Sequence, residues 1–437
     1  MPMMFRIPDN TPSDIQDTDL THLSNIQKMA QININLPNDT TNLLIFSNQK
    51  ERINNERIFD LKNNTIHTNN IMGFVGMNDT EVTIHSRFAE EKEDYFLHYM
   101  LQKVFSINIF DLKHSSTDEN IFDFLLYLFP FYLKKALGQG IYKEYQRRRY
   151  NDANVKGPVN ISRHIRYNLP FAGKVAYSAR EHSYDNKITQ LIRHTIEHIA
   201  KHPFAQNILS SDSETKNGVA KIIQATPSFE KNHRTSIIHK NVRPMIHPYF
   251  FEYQGLQKIC LQILRYDKLK FGQEKDKIYG LLFDGAWLWE EYTNTILKDC
   301  GFKHPRNDLN KGGLHLFKDA KNYIRYPDFW KEKFIIDAKY RNLVNKNIDR
   351  DAMHQIITYM YIKKASIGCL LYPVKKDGSS ILEESIGTLN GYNGRVLKWG
   401  VPIPSGSVDF KSFCGAMQTI EKDLKNIIKE NDKAIDN

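Results

Sequence analysis

The chain has 437 residues, of which 41% are hydrophobic and 25% are charged, so a largely disordered protein and one too short to bury a core are both excluded. This length predicts two or three domains. The formal net charge of +10 excludes an acidic protein and favours a polyanionic partner, with nucleic acid as the first candidate.

The first part of the chain is predicted to be rich in β-structure. Residues 1–70 contain much Asn, Thr and Ile, a composition typical of short strands with many turns. The segment MGFVGMNDTEVTIHSRF at 72–88 predicts a hairpin, because Gly, Asn and Asp supply the turn between alternating apolar residues. Apolar residues at helical spacing then predict a helix over 94–105. We therefore assign 1–105 to an N-terminal β-rich region.

The middle of the chain, residues 106–245, is predicted to be helical and basic. Its most apolar stretch, IFDFLLYLFPFYL at 121–133, is too short to cross a bilayer and predicts a buried helix broken at Pro130. Residues 142–168 carry seven Lys or Arg and two acidic residues, which is a net charge of +5, with tyrosines between the charges. A further helix is predicted over 185–202, with its isoleucines on one side.

A domain boundary is expected near residue 245. The segment SSDSETKNG at 210–218 and the His- and Pro-rich stretch that follows it are predicted to be loops, where a linker is tolerated. Residues 246–437 form the third predicted region. There, helices are expected over 253–264 and 284–297, the second of them capped by an aspartate.

The rest of the third region alternates between strands and helices. Strands are predicted in LHLFKDA, NYIRYPDF and KFIIDAKYR, a helix over 349–363, and a buried strand over 367–374. This order is typical of an α/β module.

The segment RYPDFWKEKFIIDAKYR at 325–341 carries the clearest chemistry. Two antiparallel strands joined within WKEK would place Asp328 beside Asp337, and Lys339 shares a strand face with Asp337. Two carboxylates, with the backbone carbonyl between Asp337 and Lys339, suit Mg²⁺, or Mn²⁺ in its place. Such an ion activates water for attack on phosphate, and the lysine stabilises developing charge. The alternative is that Asp328 caps a turn while Asp337 and Lys339 form a surface ion pair.

Neighbouring helices carry further candidates. Glu290 and Glu291 lie in a mostly apolar helix before the hairpin, and either carboxylate could join the metal ligands. Gln355 and Tyr359 are four residues apart and therefore share one face of the following helix. They could reach the site or the DNA backbone; alternatively, Tyr359 belongs to the core and Gln355 is solvated.

Several segments together resemble one family. YPDFWKEKFIIDAKYRNL resembles the catalytic segment of PD-(D/E)xK nucleases, and more narrowly that of McrC, the nuclease subunit of McrBC-type restriction systems, and of its relatives in LlaJI-like systems. LFDGAWLWEEY, DAMHQIITYMY, VKGPVNISRHI and GFVGMNDTEVTIHSRF resemble other segments of the family, so the likeness extends from about residue 72 onward. The sequence departs from the family pattern at three positions. Trp289 stands where Phe is usual, and Asn160 stands where Asp is common. Asp351 lies four residues before Gln355, whereas three is the usual spacing, so no role is assigned to Asp351.

The resemblance implies an α/β fold, in which a C-terminal PD-(D/E)xK nuclease domain with a mixed sheet flanked by helices follows an N-terminal β-rich and helical partner-docking region. The implied catalytic residues are Asp328, Asp337, Lys339, Glu290, Gln355 and Tyr359. Of these, the resemblance implies Asp328, Asp337 and Glu290 as metal ligands. It also implies a partner, a hexameric McrB-like AAA+ GTPase that moves on double-stranded DNA.

These implications predict a Mg²⁺-dependent DNA endonuclease subunit recruited by a GTP-driven motor. The motor must be another polypeptide, because the chain has no G-x-x-x-x-G-K-[ST] motif. Two alternatives remain open: a non-catalytic adaptor that assembles the complex and stimulates GTP hydrolysis, and a stand-alone repair nuclease.

Basic residues outside the hairpin are candidate DNA contacts. Arg147, Arg148 and Arg149 lie within the basic segment, and Arg341 follows the catalytic segment. The three consecutive arginines could equally contact an acidic face of the motor, and the usual structure for such a run is a solvated helix end. Four isolated cysteines and an N-terminus without an apolar leader predict a cytoplasmic protein without membrane attachment, and the resemblance implies that the cytoplasm is bacterial or archaeal.

Overall fold

The structure is a computed structural model. It describes residues 3–15, 18–32, 41–47, 57–90, 93–105, 120–202, 207–270, 278–307, 311–320, 322–344, 347–376, 378–391 and 393–436. The chain divides into two compact units. Unit 1 comprises Met1–Phe110 and Gly272–Asn437, and unit 2 comprises Asp111–Phe271.

The elements follow in chain order. The first segment of unit 1 contains β1 (Met3–Pro8), β2 (Pro12–Asp14), α1 (Leu20–Ala30), β3 (Thr41–Phe46), β4 (Phe59–Lys62), β5 (Thr65–Thr68), β6 (Ile71–Met77), β7 (Thr80–His85) and α2 (Tyr95–Phe105). Unit 2 contains α3 (Asn120–Gly138), β8 (Glu144–Asp152), α4 (Ile161–Asn168), β9 (Val175–Ser183), α5 (Lys187–Ile199), α6 (Ser213–Ala225), α7 (Arg234–Lys240) and α8 (Glu252–Lys270). The second segment of unit 1 contains β10 (Ile278–Asp284), α9 (Gly285–Leu297), β11 (Leu314–His315), β12 (Ile324–Arg325), β13 (Phe329–Lys331), β14 (Phe334–Ala338), α10 (Arg350–Lys363), β15 (Ile367–Lys375), β16 (Leu382–Thr388), β17 (Arg395–Ile403) and α11 (Phe410–Asp436).

The first sheet of unit 1 joins strands that are far apart in sequence. Its order is β1-β7-β6-β10-β3, so β10 lies between two strands of the N-terminal segment. β6 and β7 form the predicted hairpin, with Asn78 in its turn at a φ of 54°. Gly73 allows β10 to approach β6, because a Cβ at this position would lie 2.1 Å from the carbonyl oxygen of Leu281. The core beside this sheet includes Ile26, Met29, Phe59, Ile66, Val75, Val82, Ile84 and Leu282.

The second sheet of unit 1 has the order β13-β14-β15-β17-β16. β14, β15 and β17 run parallel, and β13 and β16 pair antiparallel at the two edges. Eight consecutive residues of β15 are buried, as expected for a parallel strand covered on both faces. Helices α9, α10 and α11 pack against the strands. The prediction of an α/β fold with a mixed sheet flanked by helices is therefore confirmed.

Unit 2 is a helical assembly with one two-stranded hairpin. α8 packs against α3 and α5, and β8 pairs antiparallel with β9 along its whole length. α5 begins at a capping box, in which Asn186 Oδ1 accepts hydrogen bonds from the backbone N–H groups of Ile188 and Thr189. The predicted apolar face of this helix is buried in the structure.

Pro130 does not break α3, contrary to the prediction. The helix continues from Asn120 to Gly138 with the proline in its interior. A proline there costs about 3 kcal/mol. Full burial of Leu128, Phe129 and Leu133 contributes about 1.5–3 kcal/mol for each side chain, which outweighs that cost.

Other local predictions are also corrected. Residues 1–70 contain helix α1 beside the expected short strands, and residues 33–40 and 48–56 of that region lie outside the described part. The segment at 210–218 begins helix α6, because Asp212 caps it by accepting a hydrogen bond from the N–H of Thr215 at 2.8 Å. α7 forms within the stretch predicted as loop. The three consecutive arginines lie in strand β8 and not at a helix end.

The compact units do not follow the predicted regional boundaries. The boundary near 245 falls inside unit 2, because α8 packs on helices of that unit and the Tyr253 hydroxyl donates to the Gly140 carbonyl at 2.7 Å. The boundary at 105 borders residues 106–119, which are outside the described residues. The assignment of the three regions to separate functions stays a prediction.

In the described residues, every helix is too short or too polar to cross a lipid bilayer.

Candidate active site

The hairpin of β13 and β14 brings the two aspartates together. Phe329 pairs with Ile336 as the last pair of the ladder, so Asp328 and Asp337 are the residues that flank this pair. Asp328 Oδ2 accepts a hydrogen bond from the backbone N–H of Ala338 at 2.7 Å, which holds this carboxylate at the carboxyl end of β14. The turn uses only the last two residues of WKEK, since the first two belong to β13.

Asp337 and Lys339 form a buried ion pair. The Asp337 side chain is fully excluded from solvent, and Lys339 Nζ lies 2.8 Å from Asp337 Oδ2. Asp337 Oδ1 has no hydrogen-bond donor among the described residues. Burial raises the pKa of Asp337 even though the lysine opposes it. Burial lowers the pKa of Lys339, but the charges of Asp337 and Asp328 outweigh it and raise that pKa overall. The pair is therefore not the surface ion pair of the alternative interpretation.

Gln355 and Tyr359 extend this pair into a hydrogen-bonded chain. Lys339 Nζ donates to Gln355 Oε1 at 3.1 Å, and Gln355 Nε2 donates to the Tyr359 hydroxyl at 3.0 Å. The hydroxyl in turn donates to the backbone carbonyl of Tyr326 at 3.1 Å. Tyr359 is also buried in the core beside α10, as the alternative interpretation expected, and its part in the function stays a prediction. Gln355 contacts the lysine, and a purely solvated role is excluded.

Glu290 reaches the same region from α9. Asp284 caps this helix as predicted, with Oδ1 accepting from the N–H groups of Ala286 at 2.9 Å and Trp287 at 3.3 Å. Glu290 lines the cleft that contains Asp328. Glu291 is not among the residues that line this cleft, so Glu290 is the better placed of the two to contribute a metal ligand.

His304 is an additional residue that sequence analysis missed. Its Nδ1 donates to the backbone carbonyl of Asp328 at 2.8 Å and lies 3.8 Å from Glu290 Oε1, while Nε2 lies 3.9 Å from Glu291 Oε1. The ring stacks on Phe329. Burial lowers the pKa of His304, but the contacts with Glu291 and the Asp328 carbonyl outweigh it and raise the pKa. His304 therefore connects the two acidic helix residues to the hairpin.

The site opens into a cleft of about 720 Å³ within unit 1. Acidic and basic side chains share its walls, and three of the polar residues, Asn10, Asn70 and Arg87, come from the N-terminal segment. No local pattern in the sequence could have indicated these three or His304, because only the fold brings them near the hairpin. The catalytic candidates that line the cleft are Asp328, Glu290, Lys339, Gln355 and Tyr359.

The arginines predicted to contact DNA lie in two places. Arg341 lines the cleft, where it pairs with Asp349, the residue that caps α10. Arg147 and Arg149 are exposed on β8 of unit 2, while Arg148 is half-buried and donates to Ser183 Oγ at 3.0 Å. These three arginines are therefore not part of the cleft, which is formed by unit 1.

The carboxylates of the site fit a divalent ion in part. Among the described residues, no group of three or more His, Cys, Asp or Glu side chains is arranged to hold a metal, so Asp328, Asp337 and Glu290 are not drawn together into one ligand group. Two observations nevertheless fit a hard cation: Asp328 and Asp337 lie at the same end of the hairpin, and the buried Asp337 Oδ1 has no donor among the described residues. Mg²⁺ is commonly bound by one or two carboxylates, with water and phosphate oxygens in the other positions.

A family model for McrBC 5-methylcytosine restriction system components matches residues 66–373. A chain from the half-complex of a tetradecameric assembly of Thermococcus gammatolerans McrB AAA+ hexamers with bound McrC is 14% identical, with a TM-score of 0.51, and the match covers 97% of this chain and 100% of that one. This match shows a similar fold.

A chain from the cryo-EM structure of the Thermococcus gammatolerans McrBC complex is also 14% identical, with a TM-score of 0.34 and coverage of 68% of this chain and 87% of that one. No curated protein sequence matches this chain.

Proposed function

The chain belongs to the family of McrBC 5-methylcytosine restriction system components, and we propose that it is the DNA-cleaving subunit of such a system, a Mg²⁺-dependent endodeoxyribonuclease. The family match, together with the fold similarity, confirms the predicted likeness to McrC. The observation that carries the proposal is the arrangement of Asp328, Asp337 and Lys339 at the end of one hairpin, where Asp328 and Lys339 line a cleft and Asp337 is buried beside Lys339. Paired carboxylates beside a lysine suit the hydrolysis of a phosphodiester bond.

Lys339 is placed to stabilise negative charge on a phosphoryl group. An ammonium group has three donors, and two of them are directed to Asp337 Oδ2 and Gln355 Oε1. The third is available to a phosphate oxygen or to the attacking water. Because the neighbouring aspartates raise the pKa of Lys339, it stays charged at neutral pH and acts as a fixed cation, not as a general base.

Asp328 and Asp337, supported by Glu290, are the residues that would hold Mg²⁺, which when bound would supply an activated water and neutralise charge on the phosphate. The fold holds the carboxylates of Asp328 and Asp337 in place for this role. Asp328 is anchored by the N–H of Ala338, and Asp337 by the rigid, buried end of β14. His304 fixes the backbone at Asp328 from the side of α9.

The proposed partner is a McrB-like AAA+ GTPase hexamer. In the Thermococcus gammatolerans assembly, McrC is bound to McrB AAA+ hexamers, and we extend that arrangement to this chain. The lack of a phosphate-binding loop in the sequence supports it, because energy from GTP would have to come from another polypeptide. Double-stranded DNA is the proposed substrate, which agrees with the net positive charge.

The decisive experiment compares Asp328→Asn with the wild-type protein in plasmid cleavage, using the GTPase partner, GTP and Mg²⁺. Cleavage should fall by more than about 100-fold, since residues that only orient metal ligands already contribute about 10- to 100-fold. Asp319→Asn, at an exposed carboxylate outside the cleft, is the matched control and should cleave normally.

Two outcomes would overturn the proposal. If Asp328→Asn cleaved at the wild-type rate, the hairpin would not be the active site. If the wild-type protein stimulated GTP hydrolysis but left DNA intact, the chain would be an adaptor.

A further inference from the structure

Arg87 is held rigidly in the wall of the cleft by the N-terminal segment. Its Nε lies 3.2 and 3.1 Å from the two carboxylate oxygens of Asp9, and its Nη2 lies 2.6 Å from Asp9 Oδ2. Asp9 is fully buried, whereas the Arg87 side chain is 18% exposed and lines the cleft. A pairing that uses both carboxylate oxygens fixes the plane of the guanidinium group.

Two further contacts connect Arg87 to the elements that carry the catalytic candidates. The guanidinium carbon lies 4.9 Å from the ring centroid of Tyr340, the residue that follows Lys339. Nη2 also donates to Asn70 Oδ1 at 2.5 Å, and the backbone carbonyl of Asn70 accepts a hydrogen bond from the N–H of Gly285, the first residue of α9. The arginine is therefore positioned relative to both the hairpin and the helix of Glu290.

Stability alone does not explain why a buried ion pair is placed here. Such pairs contribute little to stability relative to apolar residues of similar size, because desolvation offsets their attraction. Arg87 Nη1 makes no hydrogen bond within the described part of the chain, and neither does the side-chain amide nitrogen of exposed Asn70. Two oriented donors thus remain in a cleft that already contains Lys339.

We propose that Arg87 and Asn70 bind a backbone phosphate of the DNA strand in the cleft, with Asp9 as the residue that orients the arginine. This inference rests on the proposed nuclease function, and it gives the N-terminal segment a direct part in substrate binding besides the predicted docking role. A guanidinium group with a fixed plane and a neighbouring amide match the oxygens of a phosphodiester.

The test measures binding of the full-length chain to a short DNA duplex in EDTA, by fluorescence anisotropy over a series of salt concentrations. The double variant D9N/R87Q removes both charges, so no buried carboxylate is left unpaired. Affinity should fall about tenfold or more, as expected for loss of a charged hydrogen bond, and the slope of log K against log salt should flatten by about 0.9. Arg57→Gln removes a cation of the same segment that lies outside the cleft and should change neither quantity.

Asn70→Asp tests the proposal independently of the Arg87 variants. Asn70 is exposed, so its substitution is expected to leave folding unchanged. A carboxylate there would repel the phosphate, so affinity should fall while the melting temperature is retained. If Asn70→Asp and every folded Arg87 variant kept the wild-type affinity and salt slope, Arg87 would be a structural residue only and the proposal would be overturned. If the wild-type chain bound no duplex, the proposed phosphate binding by Arg87 and Asn70 would also be wrong. Failure of the nuclease proposal is distinguishable from this, because it would appear as normal cleavage by Asp328→Asn.

Discussion

Lys339 and Asp337 form an ion pair of 2.8 Å in which the carboxylate is fully buried. Removing either partner leaves an uncompensated charge in the interior, which is strongly destabilising. Truncation of Asp337 to alanine therefore changes folding as well as chemistry. Isosteric substitutions, accompanied by a thermal unfolding measurement, separate the two effects.

Lys339→Gln is expected to slow cleavage by about 100- to 1000-fold, the loss typical of a preorganised group that stabilises transition-state charge. Binding of Mg²⁺ should weaken less than the rate falls, because lysine is not a metal ligand here and acts on the metal site only through the charge of Asp337. Single-turnover cleavage by the reconstituted complex gives the rate, and calorimetric titration gives the metal affinity. Lost Mg²⁺ binding with a normal cleavage rate would reverse the assigned roles.

Tyr359→Phe is expected to slow cleavage about two- to tenfold. The hydroxyl accepts from Gln355 and donates to the Tyr326 carbonyl, and a neutral hydrogen bond contributes about 0.5–1.5 kcal/mol. Tyr361→Phe, on the same helix with its side chain 75% exposed, is the matched control. Equal rates for both variants in single-turnover cleavage would show that the chain from Lys339 to Tyr359 does not support catalysis.

The isolated chain is expected to cut DNA poorly and to gain activity when a McrB-like GTPase and GTP are added. The reason is that the proposed site lacks an NTP-driven motor of its own, since the sequence contains no phosphate-binding loop. Plasmid cleavage with and without partner, and with GDP in place of GTP, measures this dependence. Robust cutting without nucleotide or partner would favour the stand-alone nuclease.

A fragment of residues 1–245 is expected to fold poorly. Within the first sheet, β10 lies between β6 and β3, so this fragment lacks a central strand and exposes two unpaired strand edges. A longer fragment that ends at residue 297 retains β10 and α9 and should resist limited proteolysis better. Equal protease resistance of the two fragments would show that the N-terminal segment folds without β10.

Asp94→Asn is expected to gain stability relative to the wild-type protein as the pH rises from about 5 to about 8. Burial raises the pKa of Asp94 to about 7, although its oxygens accept hydrogen bonds from the N–H groups of Ser86 and Leu97. A carboxyl group with a raised pKa stabilises the fold at low pH, and this contribution is lost as the pH rises through about 7. Asparagine does not titrate. Denaturant unfolding at several pH values measures the difference, and a constant difference would contradict the prediction.

Local patterns in the sequence determined much of the proposed site. The spacing of Asp328, Asp337 and Lys339 was sufficient to predict a hairpin that brings them together, because alternation along a strand decides which side chains share a face. The spacing of Gln355 and Tyr359 similarly predicted a shared helical face, and their hydrogen bond confirms it. Capping by Asp284 was predictable for the same reason, since all three features depend on neighbours within about ten residues.

Only the tertiary structure determined the contacts between segments that are distant in sequence. β10 joins strands of the N-terminal segment, and Arg87 reaches the cleft of Lys339 although the two residues are far apart in sequence. The continuation of α3 through Pro130 likewise depends on what the helix packs against. In each case the deciding energy comes from burial and pairing between distant segments, which outweighs local preference. Periodicity and spacing record only short-range neighbours, so they contain no information about those contacts.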